Sequence, residues 1–290
     1  MSKESRVCYY LVAYIDVLGQ KEVLAKLKEF PETAEEKDVF IQAIMDSYHF
    51  VKKFRDSFNE FFDGFTTQTS PESSSEKEMA LAEMKKAKVE TQVISDTVIM
   101  YSPLSDEDIK CPASGIYQIL GSVASTFLLS LAIEKKACRG GIEIGPSIEM
   151  EQGDIYGYAL CEAHRIENKV AEYPRIVIGG ELVQYLSLSK NSGIADVFNV
   201  FNGKMSAVCL ELISRDSDGQ YILDYLGEGF KKYIGDGKAT KDNVLQAYKF
   251  VNQELDKFGE KGNTKLATRY ARLKDYFDKN IVRWNGQKEN

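Results

Sequence analysis

Tyr9-Tyr10-Leu11-Val12-Ala13-Tyr14-Ile15-Asp16-Val17-Leu18-Gly19 is the stretch on which the reading of this chain turns. Apart from one carboxylate it is apolar, β-branched and aromatic, the composition of a central strand. Gly19 turns the chain out of it. A second stretch, Gln92-Val93-Ile94-Ser95-Asp96-Thr97-Val98-Ile99-Met100-Tyr101, has the same character and the same single interruption, Asp96. Strands at 89–94 and 97–101 leave only Ser95-Asp96 between them, so Asp96 stands at the tip of a tight hairpin.

An ionised carboxylate flanked by core-forming residues is costly unless something positive sits on it. Two aspartates converging on hard cations resolve that cost. With carbonyl oxygens and substrate phosphates they suit magnesium or manganese, which is the setting of two-metal phosphoryl and nucleotidyl chemistry. Taken singly, each has an ordinary reading, Asp16 as a helix N-cap and Asp96 as a turn residue. The pair, in strands this apolar, favours the metal.

The 290 residues are enough for a sizeable core, and 43% hydrophobic with 28% charged residues is ordinary for a globular protein. A net charge of -7 argues against broad nucleic-acid binding, which needs clustered Lys and Arg, but leaves room for a local triphosphate pocket. Cys8, Cys111, Cys138, Cys161 and Cys209 are scattered without metal-ligand spacing. Free thiols and an opening Met-Ser-Lys-Glu-Ser-Arg without a signal-like apolar stretch imply the cytoplasm. The uncharged run 111–133 is long enough to span a bilayer. Its bulky residues Ile116, Ile119, Leu120, Val123, Phe127 and Leu131 nevertheless recur at helical spacing, with small residues opposite, so a buried core helix is expected rather than a membrane span.

Further along, helices are expected at 21–30, ended by Pro31, and at 33–62. The second carries a stripe of Val39, Ile41, Ile44, Tyr48, Val51 and Phe54. A polar loop at 66–75 precedes a charged, exposed helix at 76–86. A strand at 139–146, a helix at 159–173, a short strand at 175–178 and a helix at 181–188 follow. A hairpin of 206–214 with 220–225 turns over Asp216-Ser217-Asp218-Gly219. Helices at 241–259 and 264–279 close the chain. The expected fold class is α/β, an α+β sandwich: a mixed, mainly antiparallel sheet flanked by helices. Residues 1–226 form the core domain, and 227–290 are a helical appendage packed on it.

The order of motifs resembles the class III nucleotidyl cyclase catalytic domain over about residues 8 to 225. Tyr14-Ile15-Asp16-Val17-Leu18-Gly19 matches the family's first metal strand, and Ile94-Ser95-Asp96-Thr97 its second metal hairpin. Arg139-Gly140-Gly141-Ile142-Glu143-Ile144-Gly145 matches its Arg-x-Gly-Ile-x-x-Gly strand. Asp154-Ile155-Tyr156-Gly157 followed by Cys161 and Arg165 matches its Asp-x-x-Gly-x-x-x-Asn-x-x-x-Arg stretch. There are departures. The family's transition-state asparagine is Cys161 here, its adenine-reading lysine is Gln92, and the Phe-Thr after its first glycine is Gln20-Lys21. The compact format, the Ser-Asp-Thr hairpin and the helical tail look more like the bacterial pyrimidine cyclases of Pycsar anti-phage defence.

The resemblance implies that Asp16, Asp96 and the Val17 carbonyl hold two divalent cations, and that Arg165 steadies charge on the α-phosphate. It places Arg139 at the leaving pyrophosphate and Gln92 and Asp154 at the base. It also implies a homodimer with composite sites, the aspartates from one chain and the arginine from the other. The expected reaction converts UTP, or second CTP, to the 3′,5′-cyclic nucleotide and pyrophosphate. UTP comes first because an amide at Gln92 can donate to a carbonyl and accept from an N–H. The alternatives are an adenylate or guanylate cyclase and a non-catalytic nucleotide-binding member of the fold. Read from the residues alone, Arg165 pairs with Glu162 or Glu167 along its helix, His164 and His49 are structural or surface residues, and Cys161 is an apolar filler.

Overall fold

The computed structural model describes residues 7–19, 31–67, 75–105, 108–150 and 153–284. The helix expected at 21–30 lies outside them. The first strand, β1 (Cys8–Val17), is followed by α1 (Ala34–Thr67), α2 (Ser75–Met84) and the hairpin of β2 (Glu90–Ile94) and β3 (Thr97–Pro103). Then come α3 (Pro112–Leu129), β4 (Cys138–Glu149), β5 (Ile155–Gly157), α4 (Tyr158–Lys169), β6 (Ile176–Ile178) and α5 (Gly180–Lys190). The rest is α6 (Val197–Glu211), β7 (Ile213–Arg215), β8 (Tyr221–Leu223), α7 (Glu228–Tyr233), α8 (Lys238–Glu260) and α9 (Thr264–Asn280). Strand order in the single sheet is β2-β3-β1-β4-β6-β8-β7, with β5 on the far end of β4. Among the described residues only the β4–β6 pairing is parallel. The expected mixed, mainly antiparallel sheet flanked by helices is the fold observed.

Because strand side chains alternate between faces, β1 serves two layers. Leu11, Ala13, Ile15 and Val17 enter the main core, under α1, α3 and the C-terminal helices. Tyr10 and Val12 enter a small second cluster with Ile99, Tyr101, Ile155, Ala159 and Ala163, under α4. That double burial is why the strand reads as a nearly continuous apolar run.

The uncharged helix α3 opens with Pro112 in its first turn, where a missing N–H costs nothing. Ile116, Ile119, Leu120, Val123 and Phe127 are fully buried. It runs through a π-helical turn (Ser130–Glu134) to Lys135 at φ 53°. The stretch Pro112–Glu134 is long and apolar enough to cross a membrane, yet 89% of that window is buried inside the protein. The tail joins the same core through Val244, Phe250, Val251, Leu273, Phe277 and Trp284.

Three expectations are corrected. Residues 206–211 are helical rather than strand, because Asp196 caps α6, accepting from the Asn199 N–H at 3.2 Å, and Phe201, Met205 and Cys209 recur every four residues on its buried side. The stripe of α1 divides: Val51 and Phe54 are buried, whereas Val39, Ile41, Ile44 and Tyr48 are exposed. The charged helix α2 is anchored at its end, where Glu83 and Met84 are buried and the Glu83 carboxylate accepts from the Lys110 and Cys111 N–H groups at 2.9 Å.

Candidate functional site

Strand pairing places the two aspartates together. Ser95 and Asp96 are the two loop residues between the paired Ile94 and Thr97. Ser95 takes φ 57°, the positive value that two-residue hairpins demand at this position. The loop is tied to the end of β1 by the Val17 N–H, which donates to the Asp96 carbonyl at 3.1 Å. Thr97 pairs with Asp16, and Asp16 on its other side pairs with Arg139. Cross-strand partners point to one face, so Ile94, Thr97, Asp16 and Arg139 form a row across the sheet on its α4 side. One step back along the strands, Gln92, Ile99, Tyr14 and Gly141 form a second row.

Glycines in β4 set how closely α4 lies on these rows. A Cβ at Gly141 would stand 2.3 Å from the Ala163 carbonyl oxygen, and one at Gly145 would stand 2.4 Å from the Tyr158 ring. With α4 that close, its buried Glu167 reaches the first row and pairs with Arg139, Oε1 to Nε 2.5 Å. This is a close contact of opposite charges rather than an aligned hydrogen bond. Glu167 is the site residue that sequence reading missed. Its signal was available: at helical spacing it falls on the apolar side of α4 with Ala159, Ala163 and Ile166, where a carboxylate calls for a partner.

With Asp96 and Glu167 beside it, the first row lies in excess negative charge, three carboxylates to one guanidinium. Thr97 Oγ1 donates to Asp16 Oδ1 at 3.3 Å. Burial pushes the Asp16 carboxyl up to about 6, aided by the charges of Glu167 and Asp96 and opposed by Arg139 and the Thr97 hydroxyl. Burial likewise raises the Tyr14 phenol; a hydrogen bond with Thr97 lowers it, and Glu167, Asp16 and Asp96 raise it further. Asp16 therefore shares the fields of two other carboxylates, which is what a cation would relieve. Among the described residues no three His, Cys, Asp or Glu side chains form a ready metal cage. Asp16 and Asp96 would have to share a cation with carbonyl and substrate oxygens, a donor set that fits magnesium or manganese.

The second row joins Gln92 to Asp154. Gln92 Nε2 donates to the Gly153 carbonyl at 2.6 Å and to Asp154 Oδ1 at 2.7 Å, and the Tyr101 hydroxyl donates to the same carbonyl. Both amide hydrogens of Gln92 are thus committed, leaving Oε1 as an acceptor. Two strands across and two residues along put the Asp16 and Gln92 Cα atoms about 12 Å apart, close to the reach of a nucleoside.

The remaining expected residues divide. Arg139 reaches the first row, but its side chain is only 18% exposed and its guanidinium is held by Glu167. Arg165 is 54% exposed and pairs with Glu162 at 2.6 Å, as its helix position led one to expect. It lies on the side of α4 away from the sheet, so within one chain it is not brought to Asp16. Cys161 is exposed beside it, not an apolar filler, because the buried side of α4 is fixed by Ala159, Ala163 and Ile166. His164 is exposed and packs its ring against Tyr14, centroids 4.9 Å apart.

No family model and no curated protein matches the chain. Two of the solved structures similar to it serve as examples. One is the adenylyl cyclase CyaB from P. aeruginosa, with 13% identity over 67% of this chain and 92% of that one and a TM-score of 0.41. The other is a bacterial light-regulated adenylyl cyclase, with 12% identity over 83% of this chain and 99% of that one and a TM-score of 0.38. The reading of the site rests on its own residues.

Proposed function

We propose that this protein is a metal-dependent nucleotidyl cyclase acting on a pyrimidine triphosphate, releasing pyrophosphate and a 3′,5′-cyclic nucleotide that serves as an intracellular signal in anti-phage defence. One observation carries the reading: Asp16 and Asp96 meet at one end of the sheet, with Asp16 in a field of excess negative charge. A non-catalytic nucleotide binder would have no need of that costly pair. Asp16, Asp96 and the Val17 carbonyl would hold two divalent cations, Mg or Mn, which when bound supply Lewis acidity and neutralise triphosphate charge. The sheet and α4 wall one side of the site and limit water there. The second row receives the base, and the roughly 12 Å between the Asp16 and Gln92 Cα atoms fits a nucleoside laid across β3.

Arg165 supports a composite site. Exposed on the outer side of α4, it is presented to a second copy of the chain, where it would bind the α-phosphate and offset charge in the transition state. The apolar surface beside the Asp96 hairpin supports the homodimer. Val93, Ile44 and Tyr48 are all exposed there, around a groove of ≈ 280 Å³ lined also by Val51, Lys52 and Arg55. Arg139 is not assigned to pyrophosphate, since its guanidinium is engaged by Glu167.

For the base, the sequence favours UTP, but one observation favours CTP. With Gln92 donating to Gly153 and Asp154, the pair presents acceptors, which suit the exocyclic amino group of cytosine better than the O4 carbonyl of uracil. Incubating purified protein with each of the four ribonucleoside triphosphates and manganese tests both. Cyclic UMP or cyclic CMP is expected. Cyclic AMP as the main product would remove the pyrimidine assignment, and no cyclic product would remove the enzyme reading.

A further inference from the structure

Asp16 and Arg139 are direct partners in the β1–β4 ladder. Their Cβ atoms are therefore about 5 Å apart on one face, well within the reach of an arginine. A guanidinium so placed ordinarily takes the facing carboxylate. Here it turns to α4 instead, Nε at 2.5 Å from Glu167 Oε1. Asp16 is left with the Thr97 hydroxyl at 3.3 Å. Glu167 is 4% exposed and stands on the one side of α4 that touches the sheet.

We infer that Glu167 is a positioning residue: it draws Arg139 away from Asp16 and so keeps that carboxylate open to a divalent cation. The inference rests on the metal-binding reading of Asp16. Of the three carboxylates and one guanidinium around the first row, Glu167 and Arg139 satisfy each other. Asp16 and Asp96 then face the cation with their charge intact. Without the charge on Glu167, the nearest anion to Arg139 is Asp16, and an Asp16–Arg139 pair competes directly with metal. A role confined to pinning α4 on the sheet makes a different demand, since either partner's loss would then be harmful and removing both would rescue nothing.

The experiment is calorimetric titration of the intact chain with Mn²⁺ alone, with unfolding midpoints measured in parallel. Glu167→Gln is expected to weaken Mn²⁺ binding about tenfold, equivalent to about 1.4 kcal/mol. Adding Arg139→Gln to it is expected to restore most of the affinity, and Arg139→Gln alone to bind at least as tightly as the native chain. A double variant no better than Glu167→Gln overturns the inference. So does unchanged affinity in Glu167→Gln. Should that variant be too unstable to titrate, Arg139→Gln alone decides, and a tenfold loss there overturns it. Mn²⁺ affinity that is absent from the native chain, or indifferent to Asp16→Asn, overturns the metal reading itself. Affinity abolished by Asp16→Asn but indifferent to Glu167→Gln removes only the positioning role.

Discussion

Replacing Asp16 by asparagine is expected to stabilise the metal-free protein while abolishing its turnover. In the folded chain the Asp16 carboxyl is pushed up to about 6, first by burial and then by Glu167 and Asp96. An unfolded aspartate titrates near 3.9. As pH rises through that interval the unfolded chain releases a proton that the folded chain still holds. Stability therefore falls across the window and stays reduced above it. About two units at about 1.4 kcal/mol each set a ceiling near 3 kcal/mol. Asp16 is only half-buried, so solvent screening brings the expected penalty at pH 8 to about 1.5 kcal/mol.

Asparagine removes the charge and keeps an oxygen for the Thr97 hydroxyl to bond. In chelator at pH 8 the variant should unfold at higher denaturant than the native chain, by an amount worth about 1–2 kcal/mol, and the gap should close towards pH 4. Excess Mn²⁺ should reverse the order. At a hundredfold over its dissociation constant a bound ion stabilises by about 2.7 kcal/mol, which only the native chain can gain in full. A variant less stable than the native chain in chelator at pH 8, or a gap that ignores pH, would refute the electrostatic account of the site.

Three further outcomes are expected. Mixing an Asp96→Ala chain with an Arg165→Ala chain, each inactive alone, should restore partial cyclase activity because one composite site regains both residues; no recovery in verified heterodimers would argue for a site within one chain. Arg175→Ala should cost about 3–5 kcal/mol in urea unfolding, since this buried guanidinium pairs with Asp216 and, at 2.6 Å, with Asp218, and donates to the Val170 carbonyl at 2.9 Å; a loss below 1 kcal/mol would make the network dispensable. Gly141→Ala should cost about 1–3 kcal/mol by overpacking, because its methyl would meet the Ala163 carbonyl oxygen at 2.3 Å, and turnover should fall as α4 lifts; a fully active, stable variant would show that α4 need not lie so close.

What was legible in the sequence was what announces itself locally. Asp16 and Asp96 interrupt apolar strands, whereas Gln92 and Asp154 were set together at the base only by the resemblance, since β2 and β5 are not neighbours in the sheet. Glu167 was overlooked although its place on the apolar side of α4 marked it, since beside Arg165 it reads as one more helical charge pair. Only the removal of side chains at Gly141 and Gly145 brings α4 near enough for it to reach Arg139. The helix at 197–211 was obscured by Val197, Val200 and Val208, whose branching suggests strand. Its burial against α3 and α5 overrides that preference. On α1, periodicity shows that an apolar stripe exists but not how far a core extends beneath it, so Ile44 and Tyr48 could not be told from Val51 and Phe54.

The two faces of the sheet explain why the charged row lies where it does. Beneath α1 and α3 every position of β1 is closed off, and a carboxylate there would have neither water nor a cation to meet. Beneath α4 the second cluster is small and ends at Tyr14. Asp16, two residues farther along, stands where apolar cover runs out but the backbone is still held by ladders on both sides. A position that is rigid, half-desolvated and open on one side can hold a carboxylate at raised proton affinity until a cation arrives. The same residue one place earlier or later would point into the main core and could do neither.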